Sequence, residues 1–114
     1  MTTPTEIYKA LADETRIRIL SLLFIQDLCV CQLCGIMEVS QAKISRHLAK
    51  LRESGMVYTK REEQFIRYRL NRDELLLIDT LETLYRRIND YEILKRDQIR
   101  SEKKDEILAA CKSS

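Results

Sequence analysis

The chain has 114 residues, one small domain's worth, and at that size extra burial in a dimer adds stability. Hydrophobic residues are 45% and charged residues 33%, the profile of a globular chain with a slight excess of charge. Two glycines and one proline are too few turn formers for an all-β sandwich or barrel. The same scarcity excludes a Gly-x-Gly-x-x-Gly loop, and Gly35 and Gly55 stand too far apart for a P-loop. A single histidine, His47, has no motif around it that supports nucleophilic catalysis, so no enzyme is expected. The longest mainly apolar run, Ile19 to Ile25, falls short of the roughly 20 residues of a membrane span. The opening MTTPTEIYKAL lacks the layout of an export signal, so a cytoplasmic protein with reduced thiols is expected.

In chain order, Thr5 is predicted to cap a first short helix with Ile7, Tyr8 and Leu11 as its apolar stripe. Asp13 caps a second, in which Ile17, Leu20, Leu23 and Phe24 recur at helical spacing until Gln26-Asp27. A third covers Val30 to Met37, with Val30, Leu33 and Met37 inward and Cys34 on the same side. Ser40 caps a fourth, Gln41 to Glu53, with Ile44, Leu48 and Leu51 inward and Gly55 as its left-handed stop. The period then changes to two, and Met56–Lys60 with Phe65–Leu70 reads as a β-hairpin. Asp73 opens a long last helix whose Leu77, Leu81, Leu84, Ile88 and Tyr91 form a coiled-coil-like seam. Residues 95 to 106 are mostly charged and read as a frayed extension. The expected division is 1–92 for DNA binding and dimerisation and 93–114 for a charged C-terminal helix or tail.

Short helices, a tight turn, a polar capped helix and a basic hairpin make a winged helix-turn-helix, mainly α with a small β-hairpin. Residues 40–72 hold nine Lys/Arg against three Asp/Glu, a balance of +6, while the rest of the chain stands at −4. The modest total of +2 thus conceals a basic face, the footprint of duplex DNA binding. Gln41, Lys43, Ser45, Arg46, His47 and Lys50 are expected exposed on the fourth helix behind Ser40, suited to base edges and phosphates of the major groove. Arg61 and Arg67 on the hairpin are placed to reach phosphates or the minor groove.

Residues 28–34 read Leu-Cys-Val-Cys-Gln-Leu-Cys. Three soft thiolates at Cys29, Cys31 and Cys34 suit a thiophilic ion, and three rather than four match a trigonal-pyramidal ion such as As(III) or Sb(III). Cys31 and Cys34 share a helix face, whereas Cys29 joins them only from outside the helix or through a distorted first turn. The helix start is expected to lower the thiol pKa values. Core filling by the cysteines, a Cys31-x-x-Cys34 redox pair and a Cys31-x2-Cys34-x12-His47 zinc coincidence are the competing readings. Cys111, near a polar C-terminus, reads as an exposed thiol with at most an auxiliary ligand role.

Lys9-Ala-Leu-Ala-Asp-Glu-Thr-Arg16, the Cys29–Cys34 motif, Ser40-Gln-Ala-Lys-Ile-Ser-Arg-His-Leu48 and Leu51-Arg-Glu-Ser-Gly55 together resemble the ArsR/SmtB family of metal-responsive repressors, specifically its arsenic-responsive members. Gln32 stands where that motif usually has Asp. The resemblance covers residues 6 to 90. It implies a homodimer that represses an arsenic-resistance operon at an inverted repeat of double-stranded operator DNA. As(III) or Sb(III) at Cys29, Cys31 and Cys34 would act as inducer, with no cofactor required for DNA binding. The first and last helices would form the dimer interface, through Ile7, Tyr8, Leu11, Leu77, Leu81, Leu84, Ile88 and Tyr91. A repressor sensing Cd, Pb or Bi, or a thiol-redox-switched DNA-binding regulator, are the alternatives.

Overall fold

Capping chemistry sets the helix starts in the computed structural model, which describes residues 2–112. Helix α1 (Pro4–Leu11) begins two residues before the expected position, because Thr3 rather than Thr5 caps it. Thr3 Oγ1 accepts from the Glu6 amide at 3.2 Å and the Glu6 carboxylate accepts from the Thr3 amide at 3.3 Å, a reciprocal capping box with Pro4 at the first helical position. Asp13 caps α2 (Glu14–Ile25) as expected, accepting from the Arg16 amide at 3.0 Å. Helices α3 (Val30–Met37) and α4 (Gln41–Glu53) fall on their predicted boundaries. Glu38, at φ 57°, makes the turn between them, and Ser40 caps α4 through the Lys43 amide. Gly55 sits at φ 75°, the left-handed stop after α4 that a side chain would strain.

The hairpin is β2 (Val57–Glu62) and β3 (Phe65–Leu70), with Glu63 left-handed in its two-residue turn. A third strand, β1 (Leu28–Cys29), pairs antiparallel with β3, so the sheet order is β1-β3-β2. Leu28 lies opposite Tyr68 and Cys29 opposite Arg67. Two residues have no period to read, so this strand is invisible in sequence. The fold is the expected winged helix-turn-helix, with the wing tied back to the segment before α3.

The last third departs from the expected long helix. Helix α5 (Leu75–Arg86), which starts after Glu74 without a side-chain cap from that residue, gives way to a 3₁₀ turn at Ile88–Asp90. The extended Tyr91 then leads into α6 (Glu92–Ser101) and α7 (Lys104–Lys112). Asn89 and Asp90 favour turns over helix interiors, and the last two seam residues, Ile88 and Tyr91, fall beyond the end of α5. Leu77 and Leu81 are fully buried, with Ile7 and Ile88 nearly so. Ile7, Leu77 and Leu81 pack with Leu20, Leu23, Leu48 and Leu51 in one protomer core. They therefore leave the expected dimer interface. Leu11 and Leu84 are partly buried against that core, and Tyr8 and Tyr91 stay exposed, as do Leu75 and Tyr85.

The charged segment after residue 92 is not frayed. Helix α6 packs on α2 and α3, and α7 packs on α3. Arg18 of α2, itself buried, donates to both carboxylate oxygens of Asp97 in α6 at 2.8 and 2.9 Å, and to the Met37 carbonyl at 3.0 Å. Arg100 donates to the carbonyls of Gly35 and Ile36, each at 2.7 Å. Gly35 has no side chain because Ile107 of α7 lies directly over it, and a methyl group there would collide with it.

Candidate nucleic-acid interface and thiol cleft

Helix α4 divides by burial. Ile44, Leu48 and Leu51 face the core, while Gln41, Lys43, Ser45, Arg46 and Lys50 are exposed. Lys43, Arg46 and Lys50 follow one another at three and four residues, so three cations share one outer face. Ser40 is taken up by its capping bond. On the wing, Arg61 is exposed, whereas Arg67 is half-buried and donates to Glu62 at 2.7 Å. Arg72 counts toward the basic segment but turns back to α2, donating to the Phe24 carbonyl at 3.1 Å and lying over its ring.

His47 corrects the sequence reading, because it is buried rather than exposed. Its Nδ1 lies 3.4 Å from Arg16 Nη1, and Arg16 also donates to the carbonyls of Ala10 and Lys9. The histidine thus fastens α4 to the turn between α1 and α2. Burial holds its pKa below the usual value, while Asp13 pulls the other way. Asp13 is itself held low, chiefly by the Arg16 amide that donates to it. A histidine with a depressed folded-state pKa adds stability that is present above its unfolded pKa of about 6.5 and lost as pH falls through the folded value. Wild type is expected to lose unfolding free energy between pH 7 and 5, and His47→Gln to flatten that slope. Urea titrations across this range check it, and a wild-type slope retained in the variant would refute it.

The cysteine motif does what its spacing demanded of Cys29. That residue sits outside the helix as the α3 N-cap, in β1, with extended backbone. Gln32, at the position where the resembled motif has Asp, is fully buried and accepts from the Cys29 amide at 3.0 Å. Its amide nitrogen donates at 3.5 Å to the Lys104 carbonyl at the start of α7. Cys29 is buried and Cys34 half-buried, both as free thiols. Burial, reinforced by neighbouring Cys29, pushes the Cys34 thiol up, contrary to the lowering expected at a helix start.

Cys31 is joined to Cys111 of α7 in a disulfide, with Cα atoms 6.5 Å apart. This replaces both the expectation of reduced thiols throughout and the reading of Cys111 as a plain exposed thiol. Among the described residues, no three His, Cys, Asp or Glu side chains gather closely enough to hold an ion. The four cysteines nevertheless border one open cleft of about 400 Å³. Gln41 at the start of α4 and Phe65, Ile66 and Tyr68 of the wing complete its walls. Neither the contribution of Cys111 nor that of the wing was legible in sequence, since each depends on a fold-back over a long separation. No helix among the described residues is long and apolar enough to cross a membrane.

Residues 13–59 match the family model described as "Bacterial regulatory protein, arsR family". The chain is 49% identical over 69 residues to the arsenical resistance operon repressor of Escherichia coli K12, a match covering 60% of this chain and 59% of that one. It thus spans about six tenths of the length of that curated relative. The structure of HlyU from Vibrio cholerae N16961 superposes with a TM-score of 0.64 at 38% identity, covering 69% of this chain and 84% of that one. A solution structure from Mycobacterium bovis, described as a homodimeric winged helix-turn-helix DNA-binding domain, gives a TM-score of 0.60 at 25% identity over 76% of this chain and 78% of its own.

Proposed function

The chain belongs to the ArsR family of bacterial regulatory proteins, and from that premise we propose that it is a cytoplasmic repressor that binds operator DNA and is released by a trivalent metalloid. The observation that carries the reading is the outer face of α4, where Lys43, Arg46 and Lys50 project free of the core beside Gln41 and Ser45. Such a face can lie in the major groove, with Gln41 or Arg46 on base edges and the lysines on phosphates. Arg61 extends the contact from the wing. A homodimer would present two such helices to an inverted repeat. Exposed Tyr8, Leu75, Tyr85 and Tyr91 supply apolar surface for it.

Cys29, Cys31 and Cys34 are the proposed inducer ligands. An As(III) or Sb(III) ion would supply three short bonds to sulfur and keep a lone pair in its fourth direction. In the disulfide-linked state Cys31 is engaged elsewhere, so the ligand set needs its release first. The placement of the thiols suggests how the signal travels. Cys29 is held in the sheet opposite Arg67 of the wing, while Cys31 and Cys34 ride on α3, one turn before α4. Drawing these sulfurs together would shift the wing relative to the recognition helix. A ligand can bias the two arrangements only by binding one of them better.

The test is operator binding by fluorescence anisotropy on reduced protein, with and without arsenite. Arg46→Ala is expected to weaken binding by about 1–3 kcal/mol, and Lys43→Ala to reduce the salt slope by about one. Affinity indifferent to salt would remove the DNA-binding reading. Arsenite without effect on a salt-sensitive complex would remove the inducer alone.

A further inference from the structure

We propose that Cys31 and Cys111 form a reversible dithiol–disulfide site that decides whether the thiol cleft can take its metalloid; this rests on the inducer reading above. The pairing is placed by packing that does not depend on the bond. Helix α7 lies on α3 because Gly35 leaves room for Ile107, and Gln32 reaches the Lys104 carbonyl. Lys104 Nζ in turn contacts the Gln26 side chain. These contacts hold Cys111 over the first turn of α3, where Cys31 sits 80 residues earlier in the chain. Cys111 is exposed, Cys31 is partly exposed, and both border the open cleft, so a small oxidant reaches them. Cys29, by contrast, is buried, and Cys34 has no sulfur partner in the structure.

The oxidant is a hydroperoxide. One thiolate of the pair attacks the peroxide, forming an S–O bond and breaking the O–O bond, with release of an alcohol or water. The second thiolate attacks the resulting sulfenic sulfur, forming the S–S bond and expelling the hydroxyl as water. Two thiol sulfurs are oxidised by one electron each and one peroxide is reduced. A dithiol reductant returns both thiols by exchange and leaves as its own disulfide. The sulfur of Cys31 cannot serve both partners. Bonded to Cys111 it carries no thiolate charge, and the cleft retains Cys29 and Cys34, one donor short of a pyramidal ion. Oxidation would thus leave the repressor on its operator, deaf to the inducer.

The experiment uses the full chain, reduced with a phosphine and desalted, then treated with one equivalent of hydrogen peroxide. Peptide mass spectrometry is expected to find a Cys31–Cys111 cross-link, with titratable thiols falling from four to two. Arsenite is expected to raise the sulfur-to-arsenic absorbance in the reduced protein and to fail in the oxidised one. Cys111→Ser is expected to keep that absorbance after the same treatment. A cross-link between other cysteines, or equal arsenite binding before and after oxidation, overturns the proposal. Equal loss of arsenite binding in wild type and Cys111→Ser overturns it too. Reduced protein that cross-links as expected but never binds arsenite would instead overturn the inducer reading and leave the redox pair standing.

Discussion

Asp97→Ala is expected to lower the free energy of unfolding by about 3–5 kcal/mol, because it strands a buried guanidinium. Arg18 and Asp97, 79 residues apart in sequence, have side chains 9% and 2% exposed, and they join α2 to α6 through two hydrogen bonds. The carboxylate holds the Arg18 pKa above its ordinary value, against the desolvation that opposes it. Removing Asp97 leaves the desolvation without compensation and frees α6 from α2. The loss should appear in urea titrations as a lower midpoint with an unchanged slope. Arg18→Met combined with Asp97→Leu should recover much of it, since an apolar pair of similar volume removes the stranded charge. An unmoved midpoint in Asp97→Ala would mean that α6 is an appendage outside the cooperative fold.

The second large effect concerns induction. Cys31→Ser is expected to bind operator as tightly as wild type and to lose its response to arsenite. Coupling between two ligands on one small protein usually amounts to about 1–3 kcal/mol, so arsenite should weaken the reduced wild-type complex by roughly 5–150-fold. In Cys31→Ser that factor should fall to about one, because two sulfurs do not close a pyramidal site. Cys34→Ser should behave likewise if its half-buried thiol is a ligand, and like wild type if it merely fills space beside the core. Anisotropy titrations at fixed salt separate the cases. Full arsenite release in Cys31→Ser would remove this residue from the inducer site.

Local chemistry was legible wherever it acts within one or two turns of chain. Asp13 and Ser40 announced their helices because a short polar side chain satisfies amides three residues away. Ile44, Leu48 and Leu51 announced the inner face of α4 by spacing, and its cationic outer face followed by subtraction. His47 failed the same reasoning. Its ring is buried beside Arg16, a contact between residues 31 positions apart that helical spacing does not report. The apolar seam from Leu77 to Tyr91 was equally deceptive. Periodicity reports which residues want burial and is silent on whether a partner chain or their own core supplies it.

By itself the sequence determined the winged helix-turn-helix, the basic segment and the three-thiol motif, because caps, period and charge are properties of neighbouring residues. The tertiary structure alone decided that Cys29 is sewn to the wing, that Arg18 meets Asp97, and that α7 turns back to carry Cys111 onto Cys31. Those pairings span 38, 79 and 80 positions. Closing loops of that length has an entropic cost that the packing of α3, α6 and α7 as a unit must offset, and no window of local sequence reports that sum.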